Sequence, residues 1–257
     1  MRAPLPALLL SLAIAVGLGG AARALEEAPE PPHQQWPFEG VFGTYDTAAS
    51  QRGFQVYKEV CSVCHAVKHL AFRNLEEIGY TEDQVKGIAA QYQVTDGPND
   101  EGQIFQRPAR PSDPIPVPFP NDQAARAANN GALPPDLSLI TKAREGGPDY
   151  VYAILTGFKD PPAGFKVNEG MYYNQYFAGH QIKMPPPLTQ TDQLKYADGT
   201  QATVPQMSHD VVSFLSWAAE PNLNERHRIG FKVILFLIIA TGVFYAAKRK
   251  IWSRIDH

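Results

Sequence analysis

The two cysteines of this 257-residue chain, Cys61 and Cys64, stand in the run Cys61-Ser62-Val63-Cys64-His65. Thiols three residues apart lie one turn apart on a helix face, so both can bond the edge of one porphyrin. The histidine that follows is placed to hold the iron axially. C-x-x-C-H is thus the attachment pattern of one covalently bound haem c, and its chemistry is one-electron transfer. Other uses of paired cysteines fit less well. A zinc site needs a second ligand pair, and there is no third cysteine. A redox dithiol belongs beside a βαβ pattern, which the sequence does not show. A disulfide across two intervening residues would be strained.

An iron bound by His65 has a second axial position. Methionine or histidine there makes an electron carrier, and an open position suits gas binding or peroxide chemistry. Leaving Met1 aside, the candidates are Met171, Met184 and Met207, with His180 as the histidine alternative. Met184 precedes Pro185-Pro186-Pro187, which forces an extended, stiff backbone on it. Met207 is expected in a core or capping role, and Met171 among aromatic side chains. His33, His69, His209 and His227 are expected at the surface.

The elements that must position these groups read as mainly α. Phe54, Tyr57, Val60 and Cys64 recur at helical spacing, predicting a helix from about Thr47 or Ser50 through His65, with Gly53 allowing close approach of another helix. A second helix is expected to start at Thr81 and close at Asp96-Gly97-Pro98-Asn99. Six prolines between Pro108 and Pro120 predict an extended surface stretch. Asn121 should cap a short alanine-rich helix ending near Gly131, and residues 148–157 read as helical. Residues 160–205 are expected to be irregular. A last helix is predicted from near Ser208, with Asp210 in its first turn, to Pro221.

Both ends suggest export. Arg2, an apolar run from Leu5 to Leu18 and Ala22-Arg23-Ala24 form a signal-peptide pattern with cleavage after Ala24. Residues 229–247 are apolar except for Lys232, and at 1.5 Å per residue span about 28 Å, close to the hydrocarbon thickness of a bilayer. Lys248, Arg249 and Lys250 follow, which places that end in the cytoplasm. The expected organisation is a signal peptide over 1–24, a periplasmic haem domain over 25–227, a transmembrane anchor over 228–248 and a short cytoplasmic tail over 249–257. Arg2 and Arg23 belong to the leader; residues 228–257 hold six basic side chains and Asp256. Setting these aside from the net charge of −3 leaves −10 for residues 25–227. Such acidity excludes nucleic-acid binding as the main role and suits a cationic soluble partner.

Several segments, taken in order, resemble the cytochrome c1 family. They are Arg52-Gly53-Phe54-Gln55-Val56-Tyr57, the haem motif, Asp96-Gly97-Pro98-Asn99, and the long stretch from Ala124 through Asn129, Asn130, Pro134 and Pro135 to Ser138. Asp149-Tyr150-Val151, Met184-Pro185-Pro186 and Phe214 through Pro221 complete the set. The resemblance implies a class I cytochrome c-like haem domain with long loop insertions plus one C-terminal transmembrane helix. It implies Met184 as the sixth iron ligand beside His65. It also implies Arg144 and Tyr150 near a haem propionate, and Asn129, Pro134 and Pro135 around the haem pocket on the His65 side. Some bacterial members carry an extra disulfide that this chain lacks, so stiffness around Met184 would come from prolines and packing.

The function so implied is single-electron transfer from a Rieske iron–sulfur protein to a soluble cytochrome c. The setting is the quinol–cytochrome c reductase complex, with cytochrome b as a further partner, membrane lipid around the anchor and a homodimeric assembly. Quinol oxidation would not occur on this chain. The short leader points to a bacterial inner membrane with the haem domain in the periplasm. The alternative is a membrane-anchored haem sensor or peroxidase-like protein with an open axial position.

Overall fold

A computed structural model describes residues 28–253. The leader expected over 1–24 and the last four residues of the tail lie outside the described residues. Helix α1 (Thr47–Glu59) starts at Asp46, whose carboxylate accepts from the Ala48 and Ala49 amides. It stops short of the expected end. Val60 closes it, and a separate 3₁₀ turn over Cys61–Val63 carries the cysteines. The thiol spacing survives this change, because residues i and i+3 eclipse in a 3₁₀ turn.

A longer 3₁₀ segment, Phe72–Ile78, leads to α2 (Glu82–Ala89). Thr81 caps α2 as expected, its Oγ1 accepting from the Gln84 amide while Gln84 Oε1 accepts from the Thr81 amide. The chain then forms a hairpin the sequence reading did not anticipate. Strand β1 (Gln93–Asp96) pairs antiparallel with β2 (Phe105–Pro108), placing the Asp96-to-Asn99 turn at the hairpin tip rather than at a helix end. Arg107 ties the hairpin to the proline-rich segment by reaching both Asp96 and Asp113. The Arg107 guanidinium, with the Arg110 amide, holds the Asp113 carboxyl down at about 2.

The proline-rich stretch is extended, as predicted, but not wholly at the surface. Ala109 and Ile115 are buried, and the Ile115 amide donates to Leu70 O at 3.0 Å. Helix α3 (Asp122–Ala128) is capped by Asn121, and α4 (Ile140–Ala143) and α5 (Gly147–Thr156) follow. A small hairpin of β3 (Tyr172–Tyr173) and β4 (Gln181–Ile182) punctuates the region expected to be irregular. Helix α6 (Val204–Ala219) begins four residues before the expected Ser208, because Thr203 caps it and Pro205 occupies its first turn. Helix α7 (Leu223–Trp252) runs unbroken, starting within the stretch assigned to the haem domain and continuing through the apolar run.

The core forms where α1 crosses α6. Phe54 and Tyr57 meet Phe214, with ring centroids 5.6 and 5.7 Å apart, and Phe214 meets Trp217. All four are buried, each stabilising by about 1.5–3 kcal/mol through removal from water. A Cβ on Gly53 would lie 2.0 Å from Asp210 O and 2.7 Å from the Phe214 Cβ, so the crossing requires glycine there. Beside it Arg52 donates through Nε and Nη2 to both oxygens of buried Asp210, at 3.0 Å each, and through Nη1 to Asp198. Asp210, expected only as a first-turn acid of the last helix, is therefore a core ion-pair partner.

Helix α7 contains the one stretch among the described residues long and apolar enough to cross a membrane, with mean hydropathy 2.2 over its best window and none of that window buried.

Candidate functional site

Cys61 and Cys64 are free thiols, both partly buried, on the turn that follows α1. The amides of Cys64 and His65 donate to Cys61 O at 3.1 and 2.9 Å, so a single carbonyl knots the motif. Burial pushes the Cys61 thiol up to about 12, with the neighbouring Cys64 adding to it. A reactive dithiol needs a lowered pKa, and Cys61 is shifted the other way. Among the described residues no group of three or more His, Cys, Asp and Glu side chains gathers as a metal site, so a zinc reading finds no partners.

His65 is set by the segment after α3. Its Nδ1 lies 2.8 Å from Pro135 O. A carbonyl can only accept, so Nδ1 carries the proton and Nε2 presents a lone pair. Burial holds the imidazole below 6.5, against the Pro135 hydrogen bond and the Asp136 charge that favour protonation. A neutral imidazole with Nδ1–H tied to a backbone carbonyl is the arrangement that readies Nε2 for a metal. The backbone around it is clamped as well. Tyr57 Oη donates to His65 O at 3.2 Å, Leu137 N donates to Ala66 O, and Asp136 and Ser138 side chains accept from the amides of Lys68 and His69. Burial would raise the Asp136 carboxyl, but hydrogen bonds from Ser138 and the Lys68 amide outweigh it and leave the group low. Tyr57, Asp136 and Ser138 were not singled out as site residues. Their signal was present, since short Asp and Ser side chains favour backbone amides.

A cavity of about 460 Å³ opens beside the motif, lined by Cys64, Ala66, Phe119, Ala125, Leu133 and Pro134 among others. This is within the range of small-molecule and cofactor clefts, about 300–1,000 Å³. The proline-rich stretch thus serves as one wall. Val117 and Leu133, which line the cavity, are large apolar side chains left exposed. Lys68, Asn121, Asp122, Gln123 and Asp136 also line it, so the cleft is mixed in polarity, and of the motif only Cys64 reaches its wall. The paired thiols and the lone-pair nitrogen of His65 are the donor set that fits a porphyrin and its iron.

The other predicted site residues are distributed as follows. Pro134 and Pro135 lie in the loop that holds His65. Asn129 ends α3, and its Nδ2 donates to Ala125 O at 2.8 Å. Arg144 terminates α4 and is exposed; Tyr150 is half-buried in α5. Burial raises the Tyr150 hydroxyl while the Arg144 charge pulls it down, so the two act on one locality. Met184 is partly buried in the bend after β4. Its neighbour Lys183 donates through Nζ to Asn130 O at 3.0 Å, joining the methionine's segment to the loop that orients His65.

The competing ligands fare differently. Met207 is fully buried in α6 and belongs to the core. Met171 is partly buried just before β3. His180 is buried, its ring stacked on Tyr173 at 5.8 Å and its Nδ1 3.0 Å from Gln175 O. Of the histidines expected at the surface, His33 and His69 are exposed. His209 instead stacks on Trp36, and His227 bonds Gly43 O.

Comparison with known proteins agrees with this geometry. A family model described as the Cytochrome C1 family matches residues 36–255. The cytochrome c1 of Rhodospirillum rubrum is 47% identical over 265 residues, covering 97% of each chain. The mitochondrial "Cytochrome c1 2, heme protein" of Arabidopsis thaliana is 49% identical over 233 residues, 91% of this chain and 76% of that one. The cytochrome b/c1 of Bradyrhizobium diazoefficiens is 50% identical over 273 residues, 95% of this chain, and this chain spans 40% of its length.

Proposed function

The chain belongs to the cytochrome c1 family, and from that premise we propose that it is a membrane-anchored c-type cytochrome passing single electrons from a Rieske iron–sulfur protein to a soluble cytochrome c. Haem, when bound, supplies the one-electron carrier. In this reading Cys61 and Cys64 hold it through thioethers, which prevents its loss outside the cytoplasm. His65 would hold the iron through Nε2, and Met184 would hold it through its thioether. Arg144 and Tyr150 meet a propionate. Asn129, Pro134 and Pro135 complete the pocket wall.

The chain needs no acid–base group for this task. Its residues exclude water, orient the imidazole and set the potential through ligand identity and hydrogen bonding. The Bradyrhizobium relative's name joins cytochromes b and c1. By that analogy cytochrome b is the neighbour of α7, within a quinol–cytochrome c reductase whose quinol chemistry lies elsewhere. The homodimeric assembly and the bacterial inner membrane, with the haem domain in the periplasm, are parts of the same proposal.

The observation that carries the reading is His65, whose Nδ1–H is committed to Pro135 O beside the paired thiols. Mass spectrometry of the purified chain tests it. The expected result is the mass of one haem retained after denaturation, lost in a Cys61→Ala, Cys64→Ala double variant. A wild-type chain carrying no added tetrapyrrole overturns the proposal.

A further inference from the structure

The tight turn Glu39–Gly43 carries two large apolar side chains at its tip, Val41 at 67% and Phe42 at 76% exposure. Neither is an accident of a loose loop. A Cβ on Gly43 would lie 2.2 Å from Glu39 O, and Gly40 has φ +76°, so both glycines are needed to close the turn. Its base is bonded to the molecule. Thr44 N donates to Pro37 O at 3.0 Å, Tyr45 N to Asn224 Oδ1 at 3.0 Å, and the Gly43 carbonyl accepts from His227 Nδ1 at 2.8 Å. Asn224 and His227 belong to the first turns of α7. Trp36 and Phe38, just before the turn, are buried against Val212 and Leu223.

This scaffold aims the tip along α7. The Phe42 ring lies 6.0 Å from the ring of Phe231, itself exposed, two residues into the apolar run that begins at Ile229. At 1.5 Å per residue that is about 3 Å past the start of the run. Exposed Arg226 and Arg228, ion-paired with Glu220 and Glu225, and Lys232 lie within about two turns of this level, a charged and polar collar of the kind found at a lipid headgroup layer. Two apolar side chains make too small a patch for a stable protein–protein contact, but they suit shallow burial at the boundary of headgroups and acyl chains.

We propose that Val41 and Phe42 form a second membrane contact, entering the outer lipid interface beside the head of α7. The haem domain is then held to the bilayer at two points, and its tilt is fixed rather than left to one helix. This rests on reading α7 as a membrane span.

The test uses the full-length holoprotein in nanodiscs of phosphatidylcholine and phosphatidylglycerol. A nitroxide is attached at Phe42→Cys, and in separate samples at Phe236→Cys within the apolar run and at Asp100→Cys on the β1–β2 hairpin. Accessibility to oxygen and to a water-soluble nickel chelate is read by power saturation. The expected result is oxygen-dominated accessibility at 42, severalfold above that at 100 and approaching that at 236. A nickel-dominated signal at 42 with a lipid-like signal at 236 overturns the second contact and leaves the anchor standing. Nickel-dominated signals at both overturn the anchor reading and this inference together. Dipolar broadening between labels at 42 in discs holding two copies assigns the turn to a protein contact and overturns the lipid assignment.

Discussion

One backbone carbonyl does much to determine the site. Pro135 O takes the Nδ1 proton of His65, and the imidazole then has a single nitrogen free for iron. Proline's fixed φ removes one of the two backbone torsions the loop must hold to keep that carbonyl in place. The proposed sixth ligand, Met184, is favoured by similar constraints. Met207 is spent in the core, while Met184 sits in a partly buried bend stiffened by three prolines and joined through Lys183 to the Asn130 carbonyl. Replacing Met184 with Leu is expected to lower the reduction potential by a sizeable fraction of the roughly 0.8 V that axial ligation spans. It should also let the reduced protein bind carbon monoxide. Redox titration and the carbon monoxide difference spectrum check both, and an unchanged variant would reassign the ligand to Met171 or His180.

The element that carries the haem motif is held by the crossing of α1 and α6. The contact at Gly53 is backbone to backbone, so no rotamer can relieve an added methyl. Gly53→Ala is expected to destabilise by about 3 kcal/mol or more, the upper end of overpacking penalties, measured by urea unfolding. The segment before α1 docks by different means. Asp149 in α5 accepts from Trp36 Nε1, from Gln34 N and from His33 Nδ1, and Glu39 lies 3.7 Å from the other His33 nitrogen. The hydrogen bond to Asp149, then the charges of Asp149 and Glu39, hold the exposed His33 above 6.5. A raised folded-state value means the docking contribution is fully present below about 6.5 and fades as pH climbs through the raised value. Hydrogen exchange of residues 33–38, corrected for intrinsic rate, should show greater protection at pH 5.5 than at pH 8.5. Asp149→Asn should flatten that difference.

Over the whole molecule, charge and apolarity are segregated. The region before α7 is strongly acidic, with Glu76 and Glu77 exposed on the 3₁₀ segment and Asp100 and Glu101 exposed at the β1–β2 tip. The apolar run is confined to α7, with basic side chains beyond it. For the proposed soluble cytochrome c acceptor, if basic, such exposed carboxylates would speed encounter as long as salt does not screen them. The second-order rate of electron transfer to such a partner should fall about tenfold or more between about 0.01 and 1 M ionic strength, as the screening length contracts from about 30 to about 3 Å. Stopped-flow measurement checks this, and a Glu76→Lys, Glu77→Lys double variant should flatten the salt slope if those carboxylates contribute.

What the chain alone determined was local. The paired cysteines and His65, the caps at Thr81 and Asn121, the α5 helix and the apolar run of α7 are each written in consecutive residues, because a cap, a turn or a span depends on spacing within a few residues. Family resemblance added roles for Met184, Arg144, Tyr150 and Asn129 that spacing did not supply. Tertiary structure decided what depends on distant partners. It buried Asp210 against Arg52, 158 residues away, where the pattern showed only a first-turn acid. It turned the proline-rich stretch into a cavity wall, and made residues 36–45 a strap across α6 and α7. A buried ion pair or a carbonyl aimed at an imidazole has no periodicity of its own. It exists only once folding brings two remote segments within hydrogen-bonding distance, where water no longer competes.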